Sequence, residues 1–240
     1  MVTVAEIALV DDPDRWQALG FAVSGGTLLL GAVRVALTSR AAGRGILGWS
    51  LCDLTSTQLD GLPTVASDAS VLRAEAPPTA PTEEPPHTSE PRHAEAPGAQ
   101  IATPMHPNGI AAIDHVVAMS PQLDRSVRAL QAAGLDLRRI REQPTPAGAP
   151  RQAFFRLGEV ILELVQEPEE VVAERPDGSD GPARFWGLAL LSDDLDRTVE
   201  HLGPYSSEIR AAVQPGRRIA TLRRSAGLAI PVAVMSRDVT

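Results

Sequence analysis

The 240-residue chain carries a formal net charge of −8 and is 43% hydrophobic but only 3% aromatic. That balance fits a soluble globular protein with a core of Val, Leu, Ile and Ala. The acidic surplus argues against a nucleic-acid partner, and no apolar run nears the roughly 18 residues of a membrane-spanning helix. All 22 basic residues are Arg, so Schiff-base lysines and a phosphate-loop lysine are excluded. Residues 1–6 hold no basic stretch ahead of an apolar one, so no signal peptide is expected. Cys52 stands alone, which rules out an internal disulfide and points to a cytoplasmic setting, with Cys52 as an inert small hydrophobe.

The first elements are a strand over 4–10, a short helix over 12–19 with Pro13 in its first turn, and a tight hairpin from 26–30 to 33–38. A further strand over 45–53 is followed by the stub of a helix over 56–59. Residues 1–62 thus read as a diverged, shortened version of the unit described next. From 63 to 108 the chain turns to Pro, Ala, Thr and Glu, a composition that buries too little surface to offset its ordering entropy. This segment reads as a flexible linker, with His87, His93 and His106 solvated in it or at its end.

Residues 109–240 hold two copies of one unit. In the first (109–168), a strand over 111–119 leads into a helix with Leu123, Val127, Leu130 and Ala133 on one face. Gly134 stops it, a strand over 136–141 follows, and a hairpin joins 151–157 to 160–166. In the second (183–236), Gly187 stands 72 positions after His115. A strand over 186–191, a helix over 195–202, a weak strand near 208–213 and a hairpin from 218–224 to 228–235 repeat the order. His201 closes the second helix, where it suits the C-terminal dipole. Neither copy can bury its apolar face alone, so the pair must pack together. The fold class is α+β, built of βαβββ modules. The shortened half either packs with the intact pair as an internal pseudo-dimer, or the intact pair associates between chains.

The run Ile113-Asp114-His115-Val116-Val117, the helix end Ala132-Ala133-Gly134-Leu135 and the strand Val160-Ile161-Leu162-Glu163-Leu164 resemble a module of the vicinal oxygen chelate superfamily. That superfamily includes glyoxalase I, bleomycin-resistance proteins and extradiol dioxygenases. The stretch from Gly216 through Arg217 and Arg218 to Arg224 looks like an actinobacterial glyoxalase-like subgroup. The resemblance implies sheets that curl into an open half-barrel, with metal ligands on the first and last strands of paired modules. His115 and Glu163 match those positions, and an imidazole beside a carboxylate suits Zn, Fe, Mn or Ni. The matching positions in the second module are Gly187 and Val232, and in the worn first unit Ala5 and Ala36; none of these side chains ligates. Glu159, Asp114 or another chain is left to supply a third ligand.

Two functional classes follow. One is a small-molecule binder of the bleomycin-resistance kind, holding a carbonyl or acidic compound in a metal-free or degenerate cup. The other is a metal-dependent lyase, isomerase or dioxygenase in which His115 and Glu163 hold the ion or move a proton. A purely structural His–Glu pair is the third possibility. Strand alternation sets Arg217, Ile219, Thr221 and Arg223 on one face, and the hairpin register matches Arg223 with Phe154. Arg223 and Arg156 are either clamps for a carboxylate or phosphate or solvated edge charges. Phe154, Phe155, Phe185 and Trp186 are either pocket walls or plain core.

Overall fold

A computed structural model describes residues 1–38, 43–68, 105–144, 148 and 151–237. The N-terminal half contributes β1 (Thr3–Val10), α1 (Pro13–Ala18), β2 (Thr27–Leu30), β3 (Val33–Thr38), β4 (Gly45–Cys52) and β5 (Thr64–Ala66). Asp12 caps α1 by accepting from Asp14 N, and Pro13 sits where its missing N–H is harmless. The first C-terminal module holds β6 (Ile110–Ser120), α2 (Leu123–Ala132), β7 (Asp136–Arg141), β8 (Gln152–Leu157) and β9 (Val160–Gln166). A short α3 (Glu169–Ala173) leads to the second module: β10 (Arg184–Ser192), α4 (Leu195–Leu202), β11 (Arg210–Ala211), β12 (Arg218–Thr221) and β13 (Val232–Ser236).

These strands form two open sheets, five-stranded in the order β2-β3-β1-β4-β5 and eight-stranded in the order β11-β12-β13-β10-β6-β9-β8-β7. In the larger sheet β6 and β10 meet antiparallel at the centre, and each runs parallel to the last strand of its own module. The architecture is α+β, made of curved, open half-barrel modules. The duplication extends to buried polar detail. Ser120 Oγ lies 2.6 Å from Ser126 Oγ at the start of α2, and Ser192 Oγ lies 2.7 Å from Thr198 Oγ1 at the start of α4.

A shared irregularity aligns all four first strands. In the larger sheet the pairs His115–Ala189, Val116–Leu188 and Val117–Gly187 are flanked by one extra residue on each strand, Asp114 and Trp186. In the smaller sheet Glu6–Ser50, Ile7–Trp49 and Ala8–Gly48 are flanked by Ala5 and Leu47. Each extra residue is a β-bulge that bends its strand and re-aims the side chains beside it. Glu6, Gly48, His115 and Gly187 are therefore equivalent.

This register corrects three correspondences. Glu6, not Ala5, stands in the place of His115. Ala233, not Val232, stands in the place of Glu163, because Ala189 pairs with Ala233 as Val117 pairs with Glu163. Val232 turns its side chain into the core instead. Arg223 matches Arg156, and Thr221 matches Phe154, since Thr221 pairs with Ala233 as Phe154 pairs with Glu163. The physical reason is the turn. Gly158, at φ +65°, closes a tight hairpin in the first module, whereas a 3-10 turn at Arg224–Ala226 lengthens the second, so counting from the glycines slips the register. Ala36 does occupy the Glu163 position, pairing with Ala8.

Both halves share one hydrophobic core, which includes Ile7, Leu30 and Leu51 from the first and Val116, Phe155, Leu162 and Val234 from the second. Trp49 meets Phe185 edge-on at 5.0 Å, and Gly31 N donates to Ala111 O at 2.8 Å across the halves. Cys52 is buried. Residues 56–59 are not helical. The segment instead sends Thr55 N and Oγ1 to the carbonyls of Ala133 and Ala132 at the end of α2, while Asp60 takes the Arg125 guanidinium.

The ends of the expected linker are ordered. Residues 64–66 form β5, paired parallel with β4. His106, expected to be solvated, is buried: Nδ1 accepts from Ala22 N at 2.9 Å and Nε2 donates to Leu29 O at 2.8 Å. Those two partners hold it as the neutral imidazole. His87 and His93 lie outside the described residues.

Candidate functional site

Along a regular strand Asp114 and His115 would face opposite sides. The bulge at Asp114 lets both side chains meet: Asp114 Oδ2 accepts from His115 Nδ1 at 2.8 Å. Glu163 projects from the neighbouring β9, where alternation buries Leu162 and Leu164 in the core and leaves Glu163 on the cup face. Its Oε2 stands 3.2 Å from His115 Nε2. Gln152, on the same face of β8, donates Nε2 to Glu163 Oε1. At the other end Arg217 donates Nη2 to Asp114 Oδ1 at 2.6 Å and Nε to Ser236 O at 2.9 Å. The result is a chain Arg217–Asp114–His115–Glu163–Gln152 in which the four ionisable side chains are 10–17% exposed.

Burial by itself pushes the His115 imidazole down. Asp114 and Glu163 more than offset it and hold the group at about 9, so His115 is a cation at neutral pH. Burial likewise pushes the Asp114 carboxyl up, but His115 and Arg217 draw it below its ordinary range. Two cations and two carboxylates compensate one another within the sheet, as buried charges require.

The chain forms one side of a 310 Å³ cavity. Phe154 and Ile161 supply its apolar wall, while Arg138, Arg139, Arg156 and Arg217 make it cationic against Asp114 and Glu159. Arg139 stacks on the Phe154 ring with its guanidinium carbon 4.7 Å from the centroid. Arg156 donates to Gly158 O, and its ion pair with Glu159 is long, at 3.9 Å. A basic hollow in a protein of net charge −8 concentrates anions locally.

His115, Phe154 and Arg156 thus come together at one cavity, with Glu163 bonded directly to His115. Trp186 and Arg223 do not line it. Trp186 is the bulge residue of β10 and is 51% exposed; Arg223 lies past the end of β12, on a second hollow. Phe155 is core, and Phe185 packs on Trp49. Sequence reasoning missed Gln152, Arg139 and the role of Arg217. The period-2 rule could have found Gln152, two residues before Phe154. Nothing local signals that Arg217 reaches Asp114.

The donor set does not fit a divalent ion. An ion on Nε2 of His115 would find Glu163, but Asp114 is bonded to the opposite nitrogen and already holds Arg217. A Cβ at Gly187 would stand 2.5 Å from Pro231 O, so the backbone of the adjoining loop fills the space a third ligand would need. Ala233 offers no donor. Two ligands fall short of the three that a catalytic metal centre takes. Among the described residues no group of three or more His, Cys, Asp or Glu side chains is arranged to hold a metal.

No protein-family model and no curated protein sequence matches the chain. Among solved structures, a xylose isomerase-like TIM barrel/4-hydroxyphenylpyruvate dioxygenase fusion protein is similar over 99% of this chain at 13% identity and a TM-score of 0.60. The match takes in 49% of that protein, so the chain spans about half its length. Methylmalonyl-CoA epimerase from Mycobacterium tuberculosis aligns over 57% of this chain and 93% of its own, at 16% identity and a TM-score of 0.43. The Streptomyces coelicolor epimerase, in complex with 2-nitronate-propionyl-CoA, aligns over 54% and 99%, at 18% identity and 0.42. At 13% identity the likeness to the fusion protein is one of fold.

Proposed function

Given that this chain carries the vicinal oxygen chelate fold, we propose that it binds a small organic acid in the cup of the eight-stranded sheet, without a metal ion. One observation carries the reading. Both ring nitrogens of His115 are bonded to carboxylates, in a cavity whose open side is lined with arginines. The His–Glu pair has the place of a metal site but the bonding of a closed ion-pair chain. The metal-dependent lyase, isomerase or dioxygenase reading lacks donors at Gly187 and Ala233.

The ligand's carboxylate meets Arg139 and Arg156, which flank Phe154 on paired strands. Its apolar part rests on Phe154 and Ile161. Arg217 is held by Asp114 and Ser236 O and keeps the cup floor rigid. Arg139 has no acidic partner among the described residues, so its charge is available to the ligand.

The test is thermal unfolding and calorimetry of the whole protein with a panel of aromatic and aliphatic carboxylates. A true ligand at about a hundred times its Kd adds roughly 2.7 kcal/mol of stability. Arg139→Gln and Arg156→Gln should each weaken it by about tenfold or more, since a charge-assisted hydrogen bond is worth about 1.5–3 kcal/mol. A stoichiometric divalent ion that disappears in His115→Ala and Glu163→Ala would overturn the proposal.

A further inference from the structure

The eight-stranded sheet is a duplicated object, and its second half has a hollow of its own. Thr221 takes the place of Phe154, and Arg223 that of Arg156. Ala220, the neighbour of Thr221, is buried in the core, so Thr221 faces the same side of the sheet as the cup. Around it lies a 380 Å³ hollow lined by Ser207, Glu208, Ile209, Arg210, Thr221 and Arg223. Where the first cup has an aromatic wall, this one has hydroxyls.

Among the described residues the local bonding leaves both guanidiniums unpaired, and they outnumber the single carboxylate in the lining, that of Glu208. Ser207 is committed to the sheet: its Oγ accepts from Thr221 N at 2.9 Å and donates to Glu208 O at 3.0 Å. Ser207 N donates to Thr221 O at 2.9 Å, which fixes the floor. Arg223 is anchored through its backbone, whose N–H donates to Tyr205 O at 2.7 Å. The guanidinium groups of Arg210 and Arg223 make no ion pair or hydrogen bond among the described residues. The nearby Arg218 contrasts with them, being bonded to Asp196 through two nitrogens.

We infer that this hollow is a second anion site, separate from the organic-acid cup, which takes a dianionic oxyanion such as the phosphate of a phosphomonoester between Arg210 and Arg223. Two planar guanidiniums match the charge and the several acceptor oxygens of a phosphate. The Thr221 hydroxyl adds one neutral donor. Duplication supplied the concavity, and exchange of Phe154's counterpart for Thr221 makes it polar rather than apolar.

The experiment is titration of the full chain with inorganic phosphate at low chloride, followed by calorimetry, with acetate as the monoanion control. Saturable phosphate binding is expected, weakened about tenfold or more in Arg210→Gln and in Arg223→Gln and unchanged in Arg156→Gln. In Arg156→Gln, where the first cup is weakened, acetate should displace bound phosphate only at about tenfold excess or more. Failure of phosphate to saturate the wild-type protein, indifference to either arginine substitution, weakening by Arg156→Gln, or displacement of phosphate by an equal concentration of acetate in Arg156→Gln would each overturn the inference. Because Arg156 reports on the first cup alone, loss of organic-acid binding there leaves this result readable.

Discussion

Replacing Glu163 with Gln removes one of the two carboxylates that keep His115 charged while preserving side-chain shape. His115 is held at about 9 against an ordinary value of 6.5. That difference corresponds to roughly 3 kcal/mol favouring the charged form in the folded protein. Asp114 and Glu163 share it, so Glu163→Gln should lower the His115 value by about one unit, equivalent to about 1.4 kcal/mol. Because the folded value lies above the unfolded one, the stabilisation is fully present below about pH 6.5 and fades as pH rises through about 9. In Glu163→Gln that upper edge moves down. NMR titration of the His115 ring reads the shift directly, and urea unfolding between pH 6 and pH 9 reads its linked stability. A wild-type His115 that titrates near its ordinary value, or an unchanged value in Glu163→Gln, would refute the closed ion-pair chain and reopen His115 as a free base or ligand.

Gly187→Ala should destabilise the protein by about 1–3 kcal/mol in urea unfolding, because the new Cβ would press on Pro231 O at 2.5 Å, the oxygen that accepts from Leu188 N. Gly48→Ala meets Pro63 O at 2.8 Å and should cost less; wild-type stability in Gly187→Ala would show that the loop yields freely. His106 behaves oppositely to His115. Burial outweighs its hydrogen bond to Leu29 and lowers its value, so its contribution to stability is present above about pH 6.5 and is lost on acidification. The acid sensitivity below about pH 6.5 should diminish in His106→Ala, and an unchanged pH profile in that variant would count against the buried neutral imidazole.

Much of this molecule was legible in its residue pattern. The strands other than β5, the helices α1, α2 and α4, and the copied modules follow from apolar spacing, because a strand or helix that buries one face must repeat with its own period. The meeting of His115 and Glu163 in one cup was implied by the resemblance to a known family, not by spacing. Legibility ended where pairing between strands takes over. Asp114 joins His115 only because a bulge, set by the partner strand, breaks the alternation. The equivalents of Glu163 and Phe154 were misplaced because the second hairpin turns through a longer loop. Arg217 enters the site from the turn before β12, more than a hundred positions from Asp114. The sequence by itself therefore determined which segments fold and which faces they bury, since those depend on contacts within a few residues. Only the tertiary structure decided what each polar side chain bonds to. A hydrogen bond needs its partner within about 3 Å, and that partner comes from wherever the sheet's register brings it.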